Sequence, residues 1–69
     1  MKRHAALEKG NQYKNKNGNS VFECRDACAG GDAYVLINLN SRWTFIAHII
    51  TMYDDGTIEW DYSTGGHFE

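Results

Sequence analysis

Glu59 and Asp61 stand two residues apart in the stretch YDDGTIEWDY, residues 53–62. On a strand that spacing sets both carboxylates on one face, where a pair can in principle act as acid and base. Catalysis needs more than the pair. No His, Ser or Lys is placed by local spacing to work with them, and an open strand face desolvates a carboxylate too little to move its pKa far. A chain of 69 residues also seldom encloses a pocket. No catalytic residue is expected, and the two carboxylates read as acidic surface.

The second candidate set is Cys24 and Cys28, with His48 and His67 as conceivable extra ligands. A C-x₃-C spacing is not the C-x₂-C of a zinc knuckle or thioredoxin-like site, and no second Cys pair follows. The stronger reading makes Cys24 a small core residue and Cys28 a loop thiol. Neither metal nor cofactor is expected. His48 could reach Asp61 diagonally, although a lone His in a strand is usually a packing or hydrogen-bonding residue.

The third set is basic. Lys2, Arg3, Lys9, Lys14, Lys16 and Arg25 crowd the first third of the chain, close to Tyr13 and Phe22. From residue 26 onward only Arg42 opposes Asp26, Asp32, Asp54, Asp55, Glu59, Asp61 and Glu69, and the net charge is −2. Such asymmetry can mark a contact surface, and Lys9, Lys14, Lys16, Arg25 and Tyr13 would form the nucleic-acid-binding side of a small β-barrel. The acidic balance and the absence of Lys or Arg from the second hairpin weigh against nucleic acid.

These residues need elements to hold them. Asp55-Gly56, flanked by apolar alternation, predicts a two-residue type I′ turn. Register would then pair Tyr53 with Ile58, Thr51 with Trp60 and Ile49 with Tyr62. One face would collect Trp43, Phe45, Ala47, Ile49, Tyr53, Ile58, Trp60 and Tyr62 as core. The other would set Ile46, His48, Ile50 and Met52 beside Glu59 and Asp61. Asn17-Gly18 predicts a second such turn, pairing Lys14 with Val21 and Tyr13 with Phe22.

Between the hairpins AYVLINLN alternates as a strand, preceded by the loop Ala29-Gly30-Gly31-Asp32. The expected strands are 11–16, 19–26, 33–40, 43–53 and 57–62. The fold class is all-β: about five antiparallel strands in a small SH3-like barrel or a strongly bent meander. Residues 1–69 form one domain, which at this length buries about 60% of the unfolded surface. Residues 1–10 are expected as a flexible arm or one helical turn, frayed or docked, and 63–69 as a mobile tail. Two Trp, four Tyr and three Phe must supply much of the core. No apolar run approaches a membrane span and the N-terminus lacks a signal-peptide core, so a cytoplasmic setting with reduced thiols is expected.

A strand apolar on both faces needs a cover. Ile46, Ile50 and Met52, rimmed by Asp54, Asp55, Glu59 and Asp61, have the layout of a protein-binding surface, for a protein partner or a second copy of the chain. The functional expectation is a non-catalytic protein-interaction module, with nucleic-acid binding as the alternative. The hairpin KNKNGNSVFEC, the strand RWTFIAH and the segment MYDDGTIEWDYSTGGHFE together resemble short uncharacterised proteins carried on bacterial mobile elements and phages. No activity attaches to those motifs. The resemblance implies an accessory protein that binds and modulates a larger one, as anti-CRISPR inhibitors do with acidic surfaces that occupy a nucleic-acid site.

Overall fold

A computed structural model describes residues 2–4, 6–28 and 32–69, with backbone alone for 2–4. The loop expected at 29–31 lies outside the described residues. Six strands form one antiparallel sheet: β1 (Lys2–His4), β2 (Gln12–Lys14), β3 (Val21–Ala27), β4 (Ala33–Asn38), β5 (Trp43–Tyr53) and β6 (Ile58–Phe68). No helix occurs among the described residues. The long strand β5 organises the sheet, carrying β6 along one edge and β4 then β1 along the other.

Among the described residues, the one bridge between the β2 side of the sheet and β6 is the parallel pair Asn15–Ile58, just beyond β2. The sheet is a bent meander that stops short of a barrel. Its concave face holds the core, built on Leu7, Phe22, Cys24, Tyr34, Leu36, Phe45, Ala47, Ile50 and Ile58. Cys24 lies within it as expected, and burial pushes its thiol pKa up. Cys28, half-buried just beyond β3, is likewise a free thiol.

The N-terminal segment supplies β1, which corrects the helical turn, while the residues that follow take the docked alternative: Leu7 is buried, and the Gly10 N–H donates to the Cys24 carbonyl (2.8 Å). The tail differs as well, because residues 63–68 continue β6, pairing Trp43 with Phe68 and Thr44 with His67. Its last residue, Glu69, accepts from the Thr44 hydroxyl (3.5 Å) and pairs with Arg25 (3.1 Å). Thr44 and its β4 partner Ile37 are both buried, on the face of the sheet away from the main core cluster.

The first hairpin has the expected register, with Tyr13 opposite Phe22 and Lys14 opposite Val21. The second is displaced by one residue: Met52 faces Ile58, Thr51 faces Glu59, Ile50 faces Trp60 and His48 faces Tyr62. The cause is local. The loop has three residues, 54–56, closed by the Tyr53 N–H on the Thr57 carbonyl (2.9 Å), with Gly56 in the left-handed region (φ 86°). The Asp55 carboxylate accepts from both the Thr57 N–H (3.0 Å) and the Thr57 hydroxyl (2.6 Å), which holds that shape and lowers the Asp55 pKa.

A one-residue displacement would throw every core residue of β5 outward unless the strand compensated. It compensates at Ile49, whose φ is +63°. Phe45 and Ala47 face the core before that point and Ile50 after it, while Ile49 itself is 39% exposed. A β-branched residue in this conformation is strained by about 1–3 kcal/mol. The Ile49 N–H donates to the Asp32 carbonyl (2.8 Å), anchoring the kink. Ile49→Asn should therefore raise stability by roughly 0.5–1 kcal/mol in urea denaturation, since Asn tolerates positive φ and the lost side chain is largely at the surface.

Candidate functional site

Where the sheet fails to close, between β6 and the β3–β4 end, a cleft of about 480 Å³ opens on the concave face. Phe22, Trp43, Phe45, Trp60 and Phe68 line it, with Asn38, Ser41 and Ser63 as the polar groups. No charged side chain contributes. The rings contact one another edge-on: Phe22 with Phe45 (5.7 Å between centroids), Phe22 with Trp60 (5.2 Å) and Trp43 with Phe68 (4.8 Å). Such contacts fix ring orientation at little cost. Phe68 is nonetheless 70% exposed and Trp43 37% exposed, so the cleft's outer lip is apolar surface facing water.

Several elements position that lip. Asn38 at the end of β4 accepts from the Asn40 N–H (2.8 Å) and the Ser41 N–H (3.1 Å), shaping the turn that delivers Trp43. Opposite, Gly65 and Gly66 have φ of 68° and 138°, beside the register shift that lets β6 bring Phe68 across from Trp43. A Cβ on Gly66 would overlap the Trp43 indole. Glycine is required there both by backbone and by contact.

Beyond the far side of the cleft the tips of the two hairpins are pinned together. The Lys16 N–H donates to the Ile58 carbonyl (2.8 Å), Asn17 donates to the Glu59 carboxylate (3.2 Å), and the Lys16 ammonium sits over the Tyr53 ring (4.6 Å). The Tyr53 hydroxyl donates to the other Glu59 oxygen. Glu59, which the sequence leaves without a folding role, is the acceptor at the centre of this clasp.

The expected partner-binding residues divide. Glu59 and Asp61 do share a face, lining a shallow hollow, but their neighbours across it are Thr51 and Ile49 rather than Met52 and Ile50. Ile50 is 1% exposed, and Met52 packs against the core, so neither belongs to an outward surface. Ile46 keeps its place on the outer face, beside His48, Ile49, Tyr62 and Cys28 in a second hollow. His48 stacks on Tyr62 (4.5 Å) and its Nε2 lies 2.6 Å from the Thr64 hydroxyl, so it engages these groups instead of Asp61. Asp54 and Asp55 occupy the exposed hairpin tip.

The basic set is dispersed. Arg25 pairs with Glu69, Lys16 is seated in the clasp, Lys9 and Lys14 are exposed, and the half-buried Tyr13 accepts from the Glu8 N–H (3.0 Å) through its hydroxyl. Among the described residues no group of His, Cys, Asp or Glu is arranged to hold a metal ion. No helix of the described chain is long and apolar enough to cross a membrane.

The aromatic cleft is what sequence reasoning missed. The sequence places Phe45 and Trp60 on a core face, as observed, but sets Trp43, Ile49 and Tyr62 there too, although all three are exposed, and leaves Phe68 either loose or tucked into a gap. The available signal was the number of rings falling on one side of so short a sheet. Comparisons with family models, curated proteins and solved structures return no match.

Two measurements check this geometry. Because its hydroxyl donates to the Glu59 carboxylate, Tyr53 has a pKa raised above the ordinary value of 10.0. Its contribution to folding is complete below that ordinary value and is lost as pH rises through the higher folded one. Ultraviolet titration should therefore show a late tyrosine step that Glu59→Gln moves to lower pH. Gly66→Ala should cost about 1–3 kcal/mol and alter tryptophan fluorescence as the Trp43 indole is displaced.

Proposed function

We propose that the chain is a non-catalytic protein-interaction module whose binding surface is the aromatic cleft together with the acidic strand beside it. The observation that carries this reading is the exposure of Phe68 and Trp43 at the lip of an uncharged, ring-lined cleft. Aromatic side chains in partly desolvated hollows are the residues on which protein interfaces concentrate their binding energy. Glu59 and Asp61 flank Trp60 along β6, and Asp54 and Asp55 occupy the hairpin tip at the other end of the strand from Trp43 and Phe68, so β6 leads up to the cleft with negative charge, which steers a basic partner. With the resemblance to short phage and mobile-element proteins, the fitting role is an accessory protein that binds and inhibits a larger protein at a basic, nucleic-acid-handling surface.

Catalysis is disfavoured by the occupation of Glu59, whose two oxygens accept from Tyr53 and Asn17. Nucleic-acid binding is disfavoured by the dispersal of the basic side chains and the pairing of Arg25. Affinity capture from the native host with the wild-type chain, alongside Trp43→Ala and Phe68→Ala, distinguishes the readings. A protein partner whose affinity falls by roughly thirtyfold or more in either variant is expected, as for an interface anchor. Retardation of nucleic acid at about 50 mM salt that depends on Lys9 and Lys14 would replace this reading with the alternative.

A further inference from the structure

We infer that the partner is held as an added strand: an extended segment of another protein, alternating apolar and basic residues, pairs with the outer edge of β6. This rests on the interaction reading above and names the kind of ligand. β6 runs for 11 residues, yet among the described residues its outer edge is met only at Ile58. The other outer strands, β1 and β2, are each 3 residues long and contain Lys, a common protection against unwanted pairing. β6 has no Lys, Arg or Pro. Its guards are the acidic Glu59 and Asp61 and the irregularity at Gly65 and Gly66, which leave the edge open to a basic strand over residues 58–62.

The edge is already competent to pair. The Ile58 carbonyl points outward to accept from Lys16 (2.8 Å), and by strand alternation the backbone of Trp60 presents its donor and acceptor the same way. Strand addition uses such groups for affinity and alternate side chains for specificity. Both faces of β6 fit that division. Trp60 belongs to the aromatic cleft on the concave face, while Glu59 and Asp61 on either side of it lie on the opposite one. A strand laid beside this segment would send side chains alternately over the Trp60 ring and past the two carboxylates.

Charge selects the occupant. Residues 43–69 contain no Lys or Arg, so the complementary segment is basic on its outer face. A second copy paired over the open segment around Trp60 fits poorly, because it would juxtapose Glu59 and Asp61 of both chains.

The probe is a fluorescent peptide of about nine residues alternating Lys with Val and Phe, compared with a Glu-for-Lys version and with versions N-methylated at either alternate set of positions. At about 50 mM salt the Lys peptide should bind at least tenfold more tightly than the Glu peptide. N-methylation of one alternate set should abolish binding and of the other leave it nearly unchanged, with new hydrogen-exchange protection in β6. Asp61→Lys, an exposed change, should weaken binding about tenfold. Equal effects of the two N-methylated sets, protection elsewhere, or no binding at about 1 mM peptide would overturn the proposal. So would a dimer that protects the β6 edge without peptide. If N-methylation is without consequence but Phe68→Ala still weakens the complex, the interaction module stands and strand addition falls; if Phe68→Ala also has no effect, both fall.

Discussion

The positive φ of Ile49 is the constraint on which the arrangement of β5 turns. An 11-residue strand that pairs along both edges must keep one side chain in two toward the core, and the three-residue loop at its end puts the distal half out of phase with the proximal half. Reversal at a single residue restores phase. The cost is local backbone strain and one isoleucine delivered to the surface. The return is that Phe45, Ala47 and Ile50 all reach the same core, and that Glu59 and Asp61 acquire an apolar neighbour in Ile49.

Closure is the second physical theme. A bent sheet this small gains by hiding its edges, and the two hairpin tips do meet, through Asn15, Lys16 and Asn17 on one side and Tyr53, Ile58 and Glu59 on the other. They meet at one end only. The same contact that seals the core near Ile58 leaves β6 diverging from β3, and the divergence is the aromatic cleft. Exposed apolar surface remains where closure stops, so rings that would complete the core of a closed barrel instead line an open cleft.

Much of this was legible beforehand, for reasons specific to each element. Alternation in 33–38 and 43–47 has a period of two and no competing signal, so those strands and the inward Phe45 and Ala47 were readable, and Asn17-Gly18 marked a hairpin whose register holds although Gly18 lacks positive φ. Asp55-Gly56 was misleading because the same dipeptide serves a two-residue and a three-residue loop, and only the hydrogen bonds of Asp55 to Thr57 and of Tyr53 to Thr57 choose between them. The site shifted accordingly, losing Ile50 and Met52 to the core and gaining Ile49, Trp43 and Phe68.

The amino-acid order by itself determined the all-β class, the strand positions from residue 12 to residue 62 and the acidic character of the last hairpin, since each follows from short-range periodicity, turn residues and formal charge. Tertiary structure alone decided that residues 2–4 form a strand, that Gly65 and Gly66 carry β6 onward to Phe68, that Glu59 is a clasp, and that the sheet stops short of closing. Those outcomes depend on groups distant in sequence competing for the same edge or the same hydrogen-bond donor. Local pattern does not encode which partner wins, because the free energies that separate the alternatives belong to the assembled sheet and not to any segment of it.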